Sequence, residues 1–225
     1  MQAETLLARV RTYALADRTI EGRGAWLRQE GEMRLAPGGR WLPFTAEEWF
    51  FGGGIEFRWQ AKVRMAPLMS VRVVDGFARG EGRLTARILG VLPVARARGA
   101  ATDKGEAMRG LAELPWRPFG LREGPHVRWE AAESGRLRAS FDDGKTQAAV
   151  EFEVDGEGQV RRGNAASRPR MVGKRMVETP WSGVFGAYER IDGVRLPTTA
   201  EVTWLLAEGP FTYWRCRVTG FRMLR

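Results

Sequence analysis

The 225-residue chain has one cysteine, Cys216, and one histidine, His126. A single cysteine excludes an internal disulfide and a cysteine-built metal site. A single histidine excludes a His-pair metal site, and no partner that a general base needs is recognisable beside it. Cys216 sits in an apolar-rich strand pattern between Trp214 and Val218, a setting in which thiols are inert. Long apolar runs are also missing. Nothing approaches the roughly 18–20 residues of a membrane span, and residues 1–16 hold no run of signal-peptide length. On this basis the chain reads as cytoplasmic. Gly52-Gly53-Gly54 lacks the Gly-Lys-Ser/Thr ending of a phosphate loop, so the triplet is a bend. No metal, no cofactor and no nucleophile–base site are expected.

Charge is plentiful but uneven. The formal net charge is +9, and lysine occurs only at Lys62, Lys104, Lys145 and Lys174. Residues 51–100 carry nine basic and three acidic side chains, whereas residues 1–50 and 101–150 are each balanced. Stacking on bases would require aromatics interleaved with the basic residues. Here Arg58, Lys62 and Arg64 alternate with Phe57, Trp59 and Val63, which places rings and charges on opposite faces. Specific nucleic-acid binding is therefore not expected, and the basic face is the solvated side of a one-sided sheet.

Hydrophobic patterning is mainly of period two. Glu56–Met65 alternates strictly, and Val71–Val73, Arg83–Ile88, Val127–Ala131, Leu137–Phe141 and Ala148–Val154 repeat the pattern between Gly-containing turns. A first strand is predicted from about Ala25 to Leu35 and three last ones near Gly183–Arg190, Val194–Leu206 and Phe211–Phe221, and residues 161–176 read as a basic loop. Connections this short imply antiparallel neighbours. Helical signals appear three times. Leu6, Val10 and Ala14 recur at helical spacing over 4–16. Thr45 with Glu48, flanked by Phe44 and Trp49, has the form of a capping box with a staple for a helix over 46–51. Asp103 with Glu106 caps a helix over 103–114, ended by Pro115. The expected architecture is mainly β: one domain over 1–225, with about eight to eleven strands curved into an open or half barrel and a few short helices.

There are 9 Trp against 3 Tyr. Trp49, Phe57, Trp59, Met65, Trp129, Trp204 and Trp214 are candidates for lining the concavity, where an apolar small molecule or lipid would bind. Filling a core is the other use of such rings, and a structural or interaction protein would follow from it. An enzyme reading would draw on Glu47, Glu106 and Arg109 as a carboxylate–arginine site at the mouth of the sheet.

Several segments together also resemble a known family. They are Val63-Arg64-Met65-Ala66-Pro67-Leu68, Val71-Arg72-Val73-Val74-Asp75, Asp103-Lys104-Gly105-Glu106 with Leu111-Ala112-Glu113, and Asp192–Thr198 running through Glu201–Leu206 to Tyr213-Trp214-Arg215. They resemble a bacterial and archaeal family known only as a domain of unknown function, over nearly the whole chain from about Leu7. The strand-rich layout is similar to the lipoprotein carriers of the Lol system. That resemblance implies an incomplete β-barrel lidded by helices, with an apolar cavity for acyl chains.

Overall fold

The computed structural model describes residues 2–15, 24–52, 54–121, 124, 126–173 and 175–224. Helix α1 (Gln2–Leu15) precedes six strands: β1 (Gly24–Met33), β2 (Leu42–Phe51), β3 (Glu56–Ala66), β4 (Met69–Ala78), β5 (Glu81–Ile88) and β6 (Leu92–Ala97). Helix α2 (Ala100–Ala112) and two short 3-10 turns follow. Seven more strands complete the chain: β7 (Val127–Ala131), β8 (Leu137–Asp142), β9 (Gln147–Val154), β10 (Val160–Val172), β11 (Arg175–Ile191), β12 (Val194–Leu206) and β13 (Gly209–Leu224).

All thirteen strands form one antiparallel sheet in the order β6-β5-β4-β3-β2-β1-β13-β12-β11-β10-β9-β8-β7, curled into a half-barrel. Alternation explains the curl: β3 buries Phe57, Trp59, Ala61 and Val63 and exposes Arg58, Lys62 and Arg64. One face is thus driven inward, each large side chain contributing roughly 1.5–3 kcal/mol by burial. Close approach across the bend requires a glycine in β1. A Cβ on Gly31 would overlap the Arg215 carbonyl oxygen and lie 2.8 Å from the Phe44 ring.

Both helices pack on this sheet. Helix α1 buries Leu7, Val10 and Ala14, and the Tyr13 hydroxyl donates to Gln159 at 2.8 Å. Helix α2 lies across the concavity, against β5, β9 and β10. Gly110 lets it descend onto Ile55. Below it the Arg117 side chain is fully buried and donates to the carbonyls of Gly54, Glu56 and Gly110. Burial lowers that guanidinium's pKa to about 10.

Four expectations need correction. Residues 46–51 are strand, not helix: Phe44, Ala46, Glu48 and Phe50 are buried alternately while β1 and β3 pair on either side. Two ladders of backbone hydrogen bonds outweigh one local capping box. Residues 161–172 and 175–176 belong to the paired arms of β10 and β11, not to a loop, and residue 174 lies outside the described residues. Helix α2 starts at Ala100, with Gly99 at φ 98° before it and no side-chain cap. The Asp103 carboxylate accepts instead from the Gly82 amide at 2.7 Å and so ties the helix to β5. Finally, β2, β6 and β10 raise the strand number to thirteen.

Candidate functional site

The curl leaves a cavity of about 470 Å³ between the sheet, α2 and the β10–β11 hairpin. Its apolar wall comes from the inner face: Met33 of β1, Trp59 of β3, Val73 of β4, Trp204 of β12, and Tyr213 and Trp214 of β13. Trp204 and Tyr213 stack with ring centroids 5.6 Å apart. The opposite wall is the hairpin, which contributes Arg168, Pro169, Arg170, Met171 and Met176. This hairpin outruns its neighbours. β9 pairs with β10 only as far as Asn164, and β12 joins β11 only from Trp181, so residues 166–172 and 175–180 form a two-stranded ribbon. Two contacts hold the ribbon to α2: Lys104 with Glu178 at 2.9 Å, and Arg168 donating to the Gly105 carbonyl at 3.2 Å.

The floor is polar. Arg109, on α2, donates to Asp75 at 2.6 Å, Glu113 at 2.7 Å and Glu48 at 3.0 Å. Its guanidinium also lies 4.7 Å from the Phe57 ring and 5.0 Å from that of Trp59. The Trp59 indole N–H donates to Gln29 at 2.8 Å, and the Gln29 amide faces Glu48 at 3.4 Å. Four carboxyls, those of Glu48, Asp75, Glu106 and Glu113, thus cluster about one largely buried arginine. Burial, reinforced by the Glu113 charge, pushes the Glu48 carboxyl well above the usual range against the pull of Arg109. Burial and then Asp75 do the same to Glu106, opposed by Arg109 and Arg168. Burial by itself would lower Arg109, but Glu113, Glu48, Asp75 and Glu106 hold it well above its ordinary value.

Acceptors outnumber donors here. Treated as ionised groups, Asp75, Glu106 and Glu113 each keep one buried oxygen without a hydrogen-bond partner, as does the Thr102 hydroxyl. All four residues line the cavity. Asp75 and Glu106 are in hydrogen-bond contact, which a shared proton makes favourable.

Trp59, Trp204 and Trp214 come together on the cavity wall, and Glu106 and Arg109 on its floor. The other predicted residues lie elsewhere. Phe57 sits behind the wall, under Arg109. Met65 is half-buried against the core near the end of β3. Trp129 packs on Phe152, centroids 6.0 Å apart, in the β7–β9 part of the core. Trp49 and Glu47 belong to the outer face of β2, where Glu47 pairs with Arg28 at 3.2 Å. The strand assignment of 42–51 reverses them: Glu48, not Glu47, points inward.

Sequence reasoning passed over Glu48, Asp75, Glu113, Arg168 and Tyr213. A signal existed for Asp75, which takes the inward parity of Val73 and Phe77 in β4. A larger depression of about 900 Å³ lies against β7–β10, but its Arg136, Arg138, Glu151 and Glu153 side chains pair with one another at 3.5–3.8 Å and are half exposed. His126 is exposed there, its Nδ1 3.2 Å from the Asp142 carbonyl. Cys216 is buried, and burial holds its thiol well above the ordinary range. Among the described residues, no group of three or more His, Cys, Asp or Glu is placed to hold a metal ion, and no helix is long and apolar enough to cross a membrane.

Known proteins share this fold at low identity. A DUF1329 family protein from Desulfovibrio piger superposes with a TM-score of 0.52 at 14% identity, covering 99% of this chain and 93% of its own. A LolA superfamily protein from Nitrosomonas europaea gives 0.51 at 12%, covering 100% and 94%. A Vibrio parahaemolyticus domain assigned to outer membrane lipoprotein sorting gives 0.51 at 9%, covering 99% and 92%. No curated protein matches the chain. The model of the Family of unknown function (DUF6544) matches residues 9–216, and the chain belongs to that family.

Proposed function

Starting from a family with no assigned activity, we propose that this protein binds an apolar or lipid-like ligand in the concavity of its half-barrel. The observation that carries the reading is the cavity of about 470 Å³ walled by Trp59, Trp204, Trp214 and Tyr213, within the range of roughly 300–1,000 Å³ typical of small-molecule sites. The fold neighbours support it, since one belongs to the LolA superfamily and another is assigned to lipoprotein sorting. Open volume weighs against a filled core and a purely structural role. A second reading, an enzyme, draws on Glu106 and Arg109 lining the same cavity. Against it, Arg109 is engaged by three carboxylates, and the lining includes no Ser, Cys or His among the described residues.

Uptake of N-phenyl-1-naphthylamine by the folded protein tests the binding reading. Saturable uptake is expected, and Trp204→Ala should weaken it about tenfold, as loss of one aromatic contact implies. Trp129→Ala, away from the cavity, should lower stability and leave affinity unchanged. Absence of saturable uptake, or equal effects of both substitutions on affinity, would overturn the proposal.

A further inference from the structure

The floor of the cavity has more acceptors than an apolar ligand alone would satisfy. Four carboxyls face Arg109. Of the other arginines, Arg117 is committed to backbone carbonyls and Arg168 to the Gly105 carbonyl and the Tyr213 hydroxyl, Arg170 lies over the Trp204 ring on the opposite wall, and Arg96 is exposed. Oxygens of Asp75, Thr102, Glu106 and Glu113 that accept from no N–H donor come from β4, from α2 and from the residue that caps its C-terminus, yet border one space. Glu106 is only 8% exposed and belongs to the lining itself. Without ligand, protons shared between Glu106 and Asp75 and between Glu48 and Glu113 are the donors on hand, and the Thr102 hydroxyl has no partner; a ligand that brings donors takes the place of those protons.

Resting on the apolar-ligand reading, we propose that the ligand is a long-chain primary amine, with its ammonium seated among Asp75, Thr102, Glu106 and Glu113 and its chain along the Trp59–Trp214–Trp204 wall. The chemistry selects this headgroup. An ammonium offers three N–H donors and no acceptor, which matches a floor of acceptors. A carboxylate or phosphate headgroup would add acceptors and negative charge to four carboxyls. A hydroxyl offers one donor and no charge. A quaternary ammonium carries the charge without N–H donors and is bulkier.

Charge balance follows directly. Without ligand, Glu106 faces Asp75 from β4, Arg109 from its own helix and Arg168 from β10, and it holds a proton against Asp75. When the ammonium arrives already charged, that proton leaves to solvent and Glu106 becomes the counter-ion. Amine binding therefore releases protons, and its affinity rises with pH until the floor carboxyls are ionised.

The test compares four probes of equal chain length on the wild-type protein by displacement of N-phenyl-1-naphthylamine: dodecylamine, dodecanol, dodecanoate and dodecyltrimethylammonium. Dodecylamine should bind about tenfold more tightly than each of the others, the factor of one added buried charge-assisted contact. Its binding, and not that of dodecanol, should acidify a weakly buffered solution. Glu106→Gln should remove the amine preference and the proton release, so that this variant binds dodecylamine and dodecanol with equal affinity. If dodecanol or dodecanoate matches or exceeds dodecylamine, the headgroup assignment fails while the apolar-ligand reading stands. If the trimethyl probe equals the amine, bare charge is recognised and the N–H assignment fails. If none of the four displaces the fluorophore, the cavity is not the fluorophore's site and both readings fail.

Discussion

Replacing Arg109 with methionine keeps a long, flexible side chain over the Phe57 and Trp59 rings but removes the charge that Glu48, Asp75 and Glu113 share. The side-chain exposures of those three carboxylates are 0%, 8% and 10%, so water cannot replace the guanidinium. Breaking a buried ion pair from one side costs about 3–5 kcal/mol. Three partners do not triple this, because carboxyls left without a counter-ion take up protons and stop being charged. The expected loss at pH 7 is therefore about 3–5 kcal/mol in total, lowering the urea midpoint by about 1–2.5 M for a slope near 2–3 kcal/mol/M. The pH dependence carries the sharper signature. Without Arg109 the buried Glu48 carboxyl loses a charge that opposes its upward shift, so it binds its proton still more tightly in the folded state than in the unfolded one. Such groups contribute stability below the unfolded pKa and lose it as pH rises through the folded pKa. The deficit of R109M relative to wild type should thus be small near pH 4 and grow toward pH 7, read by tryptophan fluorescence in urea at each pH. A loss below about 1 kcal/mol at pH 7, or a deficit that does not change with pH, would refute the account of the floor.

Gly110→Ala should destabilise the protein despite a helix-propensity gain of up to about 1 kcal/mol, because the new methyl would overlap the Ile55 carbonyl oxygen and lie 3.1 Å from the Ile55 Cβ. Overpacking of this kind costs about 1–3 kcal/mol, and a raised melting temperature would count against the packing of α2 described above. Cys216 should react with a disulfide reagent only at the rate of unfolding, since burial disfavours its thiolate; prompt stoichiometric labelling of the native protein would contradict its placement.

Period-two alternation marked most of the sheet in advance, because one face of each strand meets the core and the other meets solvent. It failed where local and long-range signals compete. Residues 44–49 satisfy a helix start, yet Phe44, Ala46, Glu48 and Phe50 also alternate, and only pairing with β1 and β3 decides between the two. That one misreading reversed the site, turning Glu48 outward and Glu47 inward. Glu106 and Arg109 were within reach because their i,i+3 spacing puts them on neighbouring turns of one helix face. Asp75 and Glu48 reach Arg109 from strands remote in sequence, and no local pattern brings those segments together. Strand β10 and the start of β11 were obscured by their composition. Arginines, glycines and a proline look like loop, but the ribbon lies beyond its neighbouring strands, where there is no second face to bury.

The strand order has a kinetic meaning. β1 to β6 and β7 to β13 are two meanders of neighbouring hairpins, and each can assemble from contacts close in sequence. As strands they pair only where β1 meets β13, from Gly24 against Leu224 to Met33 against Trp214, residues separated by most of the chain. Such a seam closes late, because loop-closure entropy must be met before the pairing compensates for it. On the ribosome β1 waits with an unpaired edge until β13 emerges, and during that wait it is open to pairing with another chain. The middle of the finished sheet is therefore the last part of the barrel to form.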